Sequence, residues 1–362
     1  MLPLIDDFRS IVIQDRPLID TRALVEFAKG SFPNAVNLPL MNDKERELVG
    51  TTYKQKGGEA AIALGYQLVS GDVKESRVGA WVDFIQKHPD TYLFCWRGGQ
   101  RSQIVQQWLQ DTSITIPRLK GGYKAFRNYL MEESIRLAHD KDILIIGGRT
   151  GSGKTLLLER LVGTIDLEGM ANHRGSSFGR YATPQPTQID FENTLAYAQI
   201  QHDEAGHKRL IIEDESHNIG RCYIPHEVFE TFQQGEVILL EATLQERIDI
   251  TYNEYIIASQ ADYEYHHTRG NAQYSWIEVM QHNFDRIRKR LGDEDHRRLS
   301  DMLQMAWEHQ MRTDDPSEHK VWIRELLEKY YDPMYDYQIK NKGDRIVFGG
   351  RADEIIEFLG GD

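Results

Sequence analysis

Ile143-Leu144-Ile145-Ile146-Gly147-Gly148-Arg149-Thr150-Gly151-Ser152-Gly153-Lys154-Thr155 is the stretch on which the fold of this 362-residue chain turns. The apolar run reads as a buried strand, and the residues after it satisfy G-x-x-x-x-G-K-[ST]. Strand, glycine loop and helix in that order make a phosphate cradle. Gly148, Gly151 and Gly153 let the backbone turn its N–H groups inward, with Ser152 among them, and the following helix adds the partial positive charge of its N-terminus. Lys154 reaches the terminal phosphate, and Thr155 offers its hydroxyl to a magnesium ion. The partner acid is expected at the end of a neighbouring strand. Glu213-Asp214-Glu215 follows the apolar run Leu210 to Ile212, and Asp214 is the choice among the three. Such a loop specifies a phosphate rather than a nucleotide, because a diphosphate ester fits the same cradle.

Downstream, Leu156 to Val162 reads as the helix that closes this motif, and Arg209–Ile212 and Val237–Leu240 read as further buried strands. From about 245 to 331 the pattern is helical: Trp276, Val279, Phe284, Ile287 and Leu291 fall near one face. A strand at Arg345–Phe348 and a last helix ending before Gly360 complete the series. Upstream, the charged break Asp140-Lys141-Asp142 sets a boundary between a first domain, 1–139, and a second, 140–362. Within the first, Pro17–Asp20 and Tyr92–Phe94 are strand candidates. Thr21–Ala28, Gln103–Leu109 and Tyr123–Ala138 have helical spacing. Strand alternating with helix predicts an α/β class with parallel sheets in both domains, the second carrying a helical insertion.

Composition agrees with a chain able to bury real cores, at 40% apolar and 27% charged residues. Its 43 basic and 56 acidic side chains leave a net charge of −13, which repels polyanions and argues against non-specific nucleic-acid binding. The acidity is lopsided: 18 basic and 17 acidic residues occur through Asp140, against 25 and 39 beyond it. The two cysteines, Cys95 and Cys222, exclude a disulfide framework and lack the C-x2-C spacing of structural zinc. The first ten residues lack a basic region followed by an apolar stretch, and no run of about 18 apolar residues occurs. A cytoplasmic protein without a membrane partner is expected.

Phe94-Cys95-Trp96-Arg97-Gly98-Gly99-Gln100-Arg101-Ser102 places a cysteine at a strand end before a glycine turn and a helix. Backbone N–H groups there point at the sulfur, and Arg97 and Arg101 add positive charge, which makes Cys95 a nucleophile candidate. Lowering a thiol pKa from about 8.5 to about 6 raises its thiolate fraction roughly thirtyfold, while intrinsic nucleophilicity falls by about tenfold. The net gain is small, so the loop's larger value is to hold an anionic group beside the sulfur through amides and a bidentate Arg101. An oxyanion-bearing co-substrate is expected. Cys222 has no glycine turn and reads as a buried structural thiol.

Leu18-Ile19-Asp20-Thr21-Arg22, Phe27 to Pro39 and the Cys95 loop resemble the rhodanese family, whose members carry sulfur as a cysteine persulfide. The interval Cys95 to Arg101 is C-x5-R, one residue longer than the common sulfurtransferase loop and nearer to that of rhodanese-like phosphatases. Joined to a P-loop NTPase-like domain, the whole chain is similar to the bacterial tRNA 2-selenouridine synthases. The runs carrying that similarity are Phe94 to Ser102, Gly147 to Thr155, Glu168 to Gly179, Glu213-Asp214-Glu215-Ser216 and Tyr331 to Tyr337. Between Glu215 and Ile219 the chain has Ser-His-Asn where that pattern leads to a more basic run. The resemblance implies a two-step exchange at the wobble 2-thiouridine of tRNA. Sulfur is first geranylated from geranyl diphosphate, and the S-geranyl group is then displaced by selenium from selenophosphate, with Cys95 carrying selenium as S-selanylcysteine. It implies no tightly bound organic cofactor beyond a magnesium ion, and a partner enzyme supplying selenophosphate.

Arg174 and Arg180, in the glycine-serine loop after the P-loop helix, are candidates to meet phosphate or RNA. Arg286, Lys289 and Arg290 share a helical face, with Arg297 and Arg298 beyond, and interleaved acids make a solvated helix an equal reading. Tyr331, Tyr335 and Tyr337 read as core residues before base-stacking ones. His266-His267 has no spaced partner for a metal. Two other readings stand beside the main one: a sulfurtransferase or phosphatase fused to an ATP-dependent small-molecule kinase, and a non-enzymatic regulator whose P-loop switches an RNA-binding surface.

Overall fold

The computed structural model describes residues 2–266 and 272–360, so His267 lies outside the described residues. The chain divides into two compact units, Met1–Leu137 with Thr187–Gly206, and Ala138–Pro186 with His207–Asp362. In the first unit, β1 (Leu4–Ile5), β2 (Leu18–Asp20), β3 (Ala35–Asn37), β4 (Tyr92–Phe94) and β5 (Arg118–Leu119) form a parallel sheet in the order β1-β5-β4-β2-β3. Successive side chains of a strand point to opposite faces, and the cores follow that rule. Leu18, Phe94 and Leu119 pack with Ile11, Phe32 and Phe126 on one side, whereas Ile19 and Leu93 pack with Trp81 and Trp108 on the other. The strand order reverses between β2 and β4, and a site is expected outside the carboxyl ends of strands at such a switch point. Those ends deliver Asp20-Thr21-Arg22 and Cys95.

Thr21–Ala28 is helical only over Leu24–Phe27, because the residues after β2 are spent on a buried ion pair. Arg22 Nε lies 3.0 and 2.9 Å from the two Asp20 oxygens and Arg22 Nη2 lies 2.6 Å from Oδ2, while Ser31 Oγ donates to the same carboxylate at 3.0 Å. The guanidinium also stacks 3.9 Å from the Tyr123 ring centroid. Both charges are buried, so removing one strands the other. Arg22→Ala is expected to cost about 3–5 kcal/mol. In a thermal melt it should lower Tm by roughly 10 °C, at about 2–4 °C per kcal/mol for a unit of this size.

The helix Gln188–Glu204 corrects the sequence boundary, which puts it in the second domain. It belongs to the first unit, where Ala196, Tyr197 and Ile200 join the core beside Phe126. Its buried polar residues find partners there: Arg127 Nη1 donates to Asn193 at 2.6 Å, and Asn193 Nδ2 donates to the Ser31 carbonyl at 2.6 Å. Burial on nearly every face erases the amphipathic signal that would have placed it.

In the second unit, β6 (Asp142–Gly147), β7 (Thr164–Ile165), β8 (Arg209–Glu213), β11 (Glu236–Leu240) and β12 (Ile346–Gly350) build a parallel sheet ordered β12-β11-β6-β8-β7; β9 (Asn218–Ile219) and β10 (Cys222–Tyr223) form a small antiparallel hairpin. Leu144, Ile146, Ile211, Ile238 and Leu240 pack with Leu157, Leu158 and Ile355. The helix after the P-loop is shorter than the expected Leu156 to Val162: it spans Lys154–Leu158 and yields to turns, with Gly163 at φ +75°, that lead into the edge strand β7. The helical insertion runs from Leu244 to Lys342 rather than ending near Tyr331. Pro333 follows directly on the π-helical turn Leu327–Tyr331, at the start of Asp332–Lys342, so Asp332-Pro333 continues the series instead of breaking it. Trp276, Phe284, Leu299, Leu303, Trp322 and Ile323 form the insertion's own core. Among the described residues, no helix is long and apolar enough to cross a membrane.

Candidate active sites

Cys95 leaves the carboxyl end of β4 and is 3% exposed. Its Sγ lies 3.2 Å from the Ser102 hydroxyl, in the first turn of the helix Gln100–Gln110, so the sulfur faces a helix N-terminus rather than an aliphatic wall. The Cys95 carbonyl accepts from the Tyr123 amide at 2.8 Å. This close return depends on Gly122, at φ +62°, where a Cβ would come 2.3 Å from that same carbonyl. Arg97 is exposed on the turn.

Arg101 departs from its expected part. Its guanidinium grips Glu26 by both oxygens, Nη1–Oε2 at 2.6 Å and Nη2–Oε1 at 3.2 Å, with Arg46 Nε on Oε2 at 3.1 Å. Burial raises the Glu26 carboxyl, but Arg101, the Ala23 amide and Arg46 outweigh that and leave its pKa below the usual value. An anion beside Cys95 must therefore compete with Glu26 for Arg101. Two cavities flank this cluster and share Glu26, Arg46 and Arg101 in their linings. One, of about 560 Å³, is cationic: Arg22, Lys29, Lys124 and Arg127 surround Trp96 and Tyr123, whose rings stack at 5.2 Å. The other, of about 660 Å³, is largely apolar.

The P-loop occupies the carboxyl end of β6. Gly148, Gly151 and Gly153 take φ of +149°, +76° and +88°, and a Cβ on Gly151 would lie 2.4 Å from Thr251 Oγ1. Arg247 braces the loop from the insertion, donating to the Thr150 carbonyl at 2.9 Å and to Asp332 at 2.6 and 3.1 Å. Gly151, Gly153, Lys154 and Thr155 line a cavity of about 680 Å³ with Glu168, Arg174, Asp214, Glu215, Glu254 and Arg290. Ser152 Oγ and Arg174 Nη1 are buried polar atoms that find no acceptor or donor within the protein. Burial opposes the Lys154 charge, but the Tyr335 oxygen and the carboxylates of Glu168, Glu215 and Asp214 outweigh it and hold the ammonium protonated.

Of the residues singled out by sequence, the structure gathers Arg174 with the P-loop and leaves Arg180 outside, in a shallow pocket with Asn172, Thr183 and Arg221. The turn at Gly175 and the bridge His173–Arg180 send the two arginines different ways. Asp214 is near Thr155 but its carboxylate is held by the Lys342 ammonium, so it is not a free metal ligand. Glu168 and Glu215 converge instead: a Cβ on Gly175 would come 2.0 Å from one carboxylate and 2.6 Å from the other. Burial raises both, and the neighbouring Glu168 charge adds to the rise at Glu215. Among the described residues, no group of three or more His, Cys, Asp or Glu has metal-holding geometry. Cys222 is buried beside the Pro186 carbonyl. Tyr331 is core, Tyr335 faces Lys154 across 5.8 Å, and Tyr337 is exposed.

A family model described as the tRNA 2-selenouridine synthase AAA domain matches residues 141–362. Over its whole length the chain is 52% identical to the tRNA 2-selenouridine synthase of Sulfurovum sp. (strain NBC37-1), covering 99% of this chain and 98% of that one. The chain belongs to the tRNA 2-selenouridine synthase family. Its identity to the synthase of Hydrogenovibrio crunogenus is 49%, covering 99% of each chain, and to that of Pseudomonas putida (strain ATCC 700007) 47%, covering 99% of this chain and 97% of that one. As a tRNA 2-selenouridine synthase family member it is an enzyme, a transferase, and the coverage includes the cysteine unit as well as the P-loop unit.

Several lining residues lie outside the P-loop and cysteine-loop motifs. Glu254, Tyr255, Tyr330 and Tyr331 reach the P-loop cavity from two π-helical segments, Asn253–Ala258 and Leu327–Tyr331. A π-turn shifts side chains off the α-helical face, so a period of 3.6 cannot place them. Glu26 and Arg46 come to the Arg101 cluster from separate helices with no spacing signal between them.

Proposed function

We propose that the protein converts the wobble 2-thiouridine of tRNA into 2-selenouridine in the two steps expected from its sequence, in the cytoplasm. In the first, the uridine sulfur attacks C1 of geranyl diphosphate, the C–O bond breaks and diphosphate departs. In the second, placed at the Cys95 loop, the selenium of selenophosphate attacks C2 of the uridine, the C–S bond breaks and geranyl thiolate departs, and water then cleaves the Se–P bond to leave 2-selenouridine and phosphate. The net exchange consumes selenophosphate and water and releases geranyl thiol and phosphate, so it is redox-neutral. A thioether leaves more readily than a thiocarbonyl sulfur, which gives the first step its purpose. A selenophosphate-making enzyme must stand upstream.

The observation that carries this reading is the composition of the P-loop cavity. Lys154 and Arg174 present cationic donors to this cavity, and Arg174 Nη1 and the P-loop Ser152 Oγ have no partner within the protein, an arrangement suited to a diphosphate. Tyr181, Tyr255, Ala258, Tyr330, Met334 and Tyr335 supply a wall for a hydrocarbon chain. The converging Glu168 and Glu215 carboxylates fit a divalent cation, which would relieve their repulsion. Thr155 with this pair would hold magnesium, and the ion would neutralise charge on the departing diphosphate. In the first unit the Cys95 sulfur sits buried at a helix N-terminus, and its loop neighbours Trp96 and Arg101 line a cationic cavity that suits a nucleotide.

Nucleoside mass spectrometry of tRNA tests the whole reading. Cells lacking this protein should retain 2-thiouridine and contain neither its geranyl thioether nor 2-selenouridine, and restoring the gene should return both. ATP turnover by the purified protein with no requirement for tRNA would support the fused kinase instead.

A further inference from the structure

We propose that the apolar cavity of the first unit is the seat of the prenyl chain while the S-prenylated nucleotide undergoes selenium exchange at Cys95. This deepens the two-step reading and rests on it. The cavity, of about 660 Å³, is lined by Leu40, Val49, Ala61, Ile62, Ile104 and Trp108. That volume falls within the roughly 300–1,000 Å³ of small-molecule sites.

The two helices forming one wall are unusual for what they leave undone. Asp43–Lys56 buries none of its residues, and Gly58–Leu68 buries only Ala61. Val49 and Ile62 remain half-buried, and Leu48, Tyr53 and Tyr66 are exposed. A helix pair ordinarily closes its apolar faces against a core. Here those faces border an open space instead, mainly apolar in its lining, with Glu26, Arg46, Glu47, Lys54 and Arg101 also contributing to it.

Location identifies the occupant. Gln100 and Arg101 of the cysteine loop line this cavity, and its Glu26–Arg46–Arg101 edge also borders the cationic cavity around Trp96 and Tyr123. One ligand would satisfy both spaces: a nucleotide whose phosphates meet Lys29 and Lys124, whose base meets Trp96, and whose sulfur carries an apolar chain past Arg101 into the neighbouring cavity. A sulfurtransferase acting on small anions has no use for the second space. An enzyme that must first hold and then release a ten-carbon thiol does.

The test uses the full-length protein and a synthetic anticodon stem-loop bearing either S-geranyl- or S-methyl-2-thiouridine. Wild type should bind the S-geranyl RNA at least about tenfold more tightly than the S-methyl RNA, since only the former buries a long chain. Ile62→Trp, which fills the cavity, should erase that preference while leaving S-methyl RNA binding and geranylation of unmodified thio-RNA from geranyl diphosphate intact. A preference that survives in Ile62→Trp overturns the proposal, and so does a parallel loss of geranylation, which would assign the cavity to the prenyl donor. A second measurement needs no variant. An S-prenyl RNA carrying a diazirine at the chain end should label peptides from residues 43–68 of wild type, and labelling confined to the P-loop unit overturns the proposal. Failure of the two-step reading is separately visible, as absence of any geranyl thioether from wild type supplied with thio-RNA and geranyl diphosphate.

Discussion

Replacing Cys95 by alanine is expected to abolish 2-selenouridine, a loss of at least about three orders of magnitude, and to let the geranyl thioether accumulate in tRNA. The two steps use different atoms. On the proposed route, geranylation joins the uridine sulfur to a carbon of the donor and needs no protein thiol, whereas the selenium exchange is assigned to the Cys95 loop. The side chain is small and its Sγ has one close polar neighbour, Ser102 Oγ at 3.2 Å, so loss of activity should come with little loss of stability. Cys95→Ser keeps a hydrogen bond to Ser102 but lacks the thiol, and should behave as alanine does. Nucleoside mass spectrometry showing normal 2-selenouridine in Cys95→Ala would remove the sulfur from the mechanism.

Lys154→Ala is expected to produce the opposite phenotype. The ammonium is held charged against burial by Tyr335 and three carboxylates, and it is the cation at the centre of a cavity rich in acids. Without it, Glu168, Glu215 and Asp214 face an incoming diphosphate with less compensation, and formation of the thioether should fall by about 10²–10³-fold. RNA supplied already S-geranylated should still be selenated if that exchange belongs, as proposed, to the Cys95 unit. Unchanged thioether formation by purified Lys154→Ala protein would take the P-loop out of the first step. Mixing the two variants with thio-RNA, geranyl diphosphate and selenophosphate should restore product, since the tRNA thioether can leave one molecule and be used by the other.

The readable parts of the site are those made by contiguous residues. The P-loop and the cysteine loop each lie within nine residues, next to apolar runs that become β6 and β4, so spacing alone places their amides and side chains. Arg101 and Asp214 show where contiguity runs out. Each lies in the expected loop, yet each carries a partner from a distant element, Glu26 for one and Lys342 for the other. The polar helix Gln188–Glu204 gives the same lesson at the scale of the fold: its burial is bought by hydrogen bonds to Arg127, Ser31 and Ser134, which no local pattern encodes.

From sequence alone came two parallel α/β units, a phosphate cradle and a reactive thiol, because strand periodicity and loop chemistry act between residues close along the chain. Only the folded chain decided which arginine stays available, which carboxylates converge at the P-loop, and that an apolar space opens beside Gln100 and Arg101 of the cysteine loop. Those depend on charges and surfaces brought together from remote segments, where burial rather than spacing sets the energy.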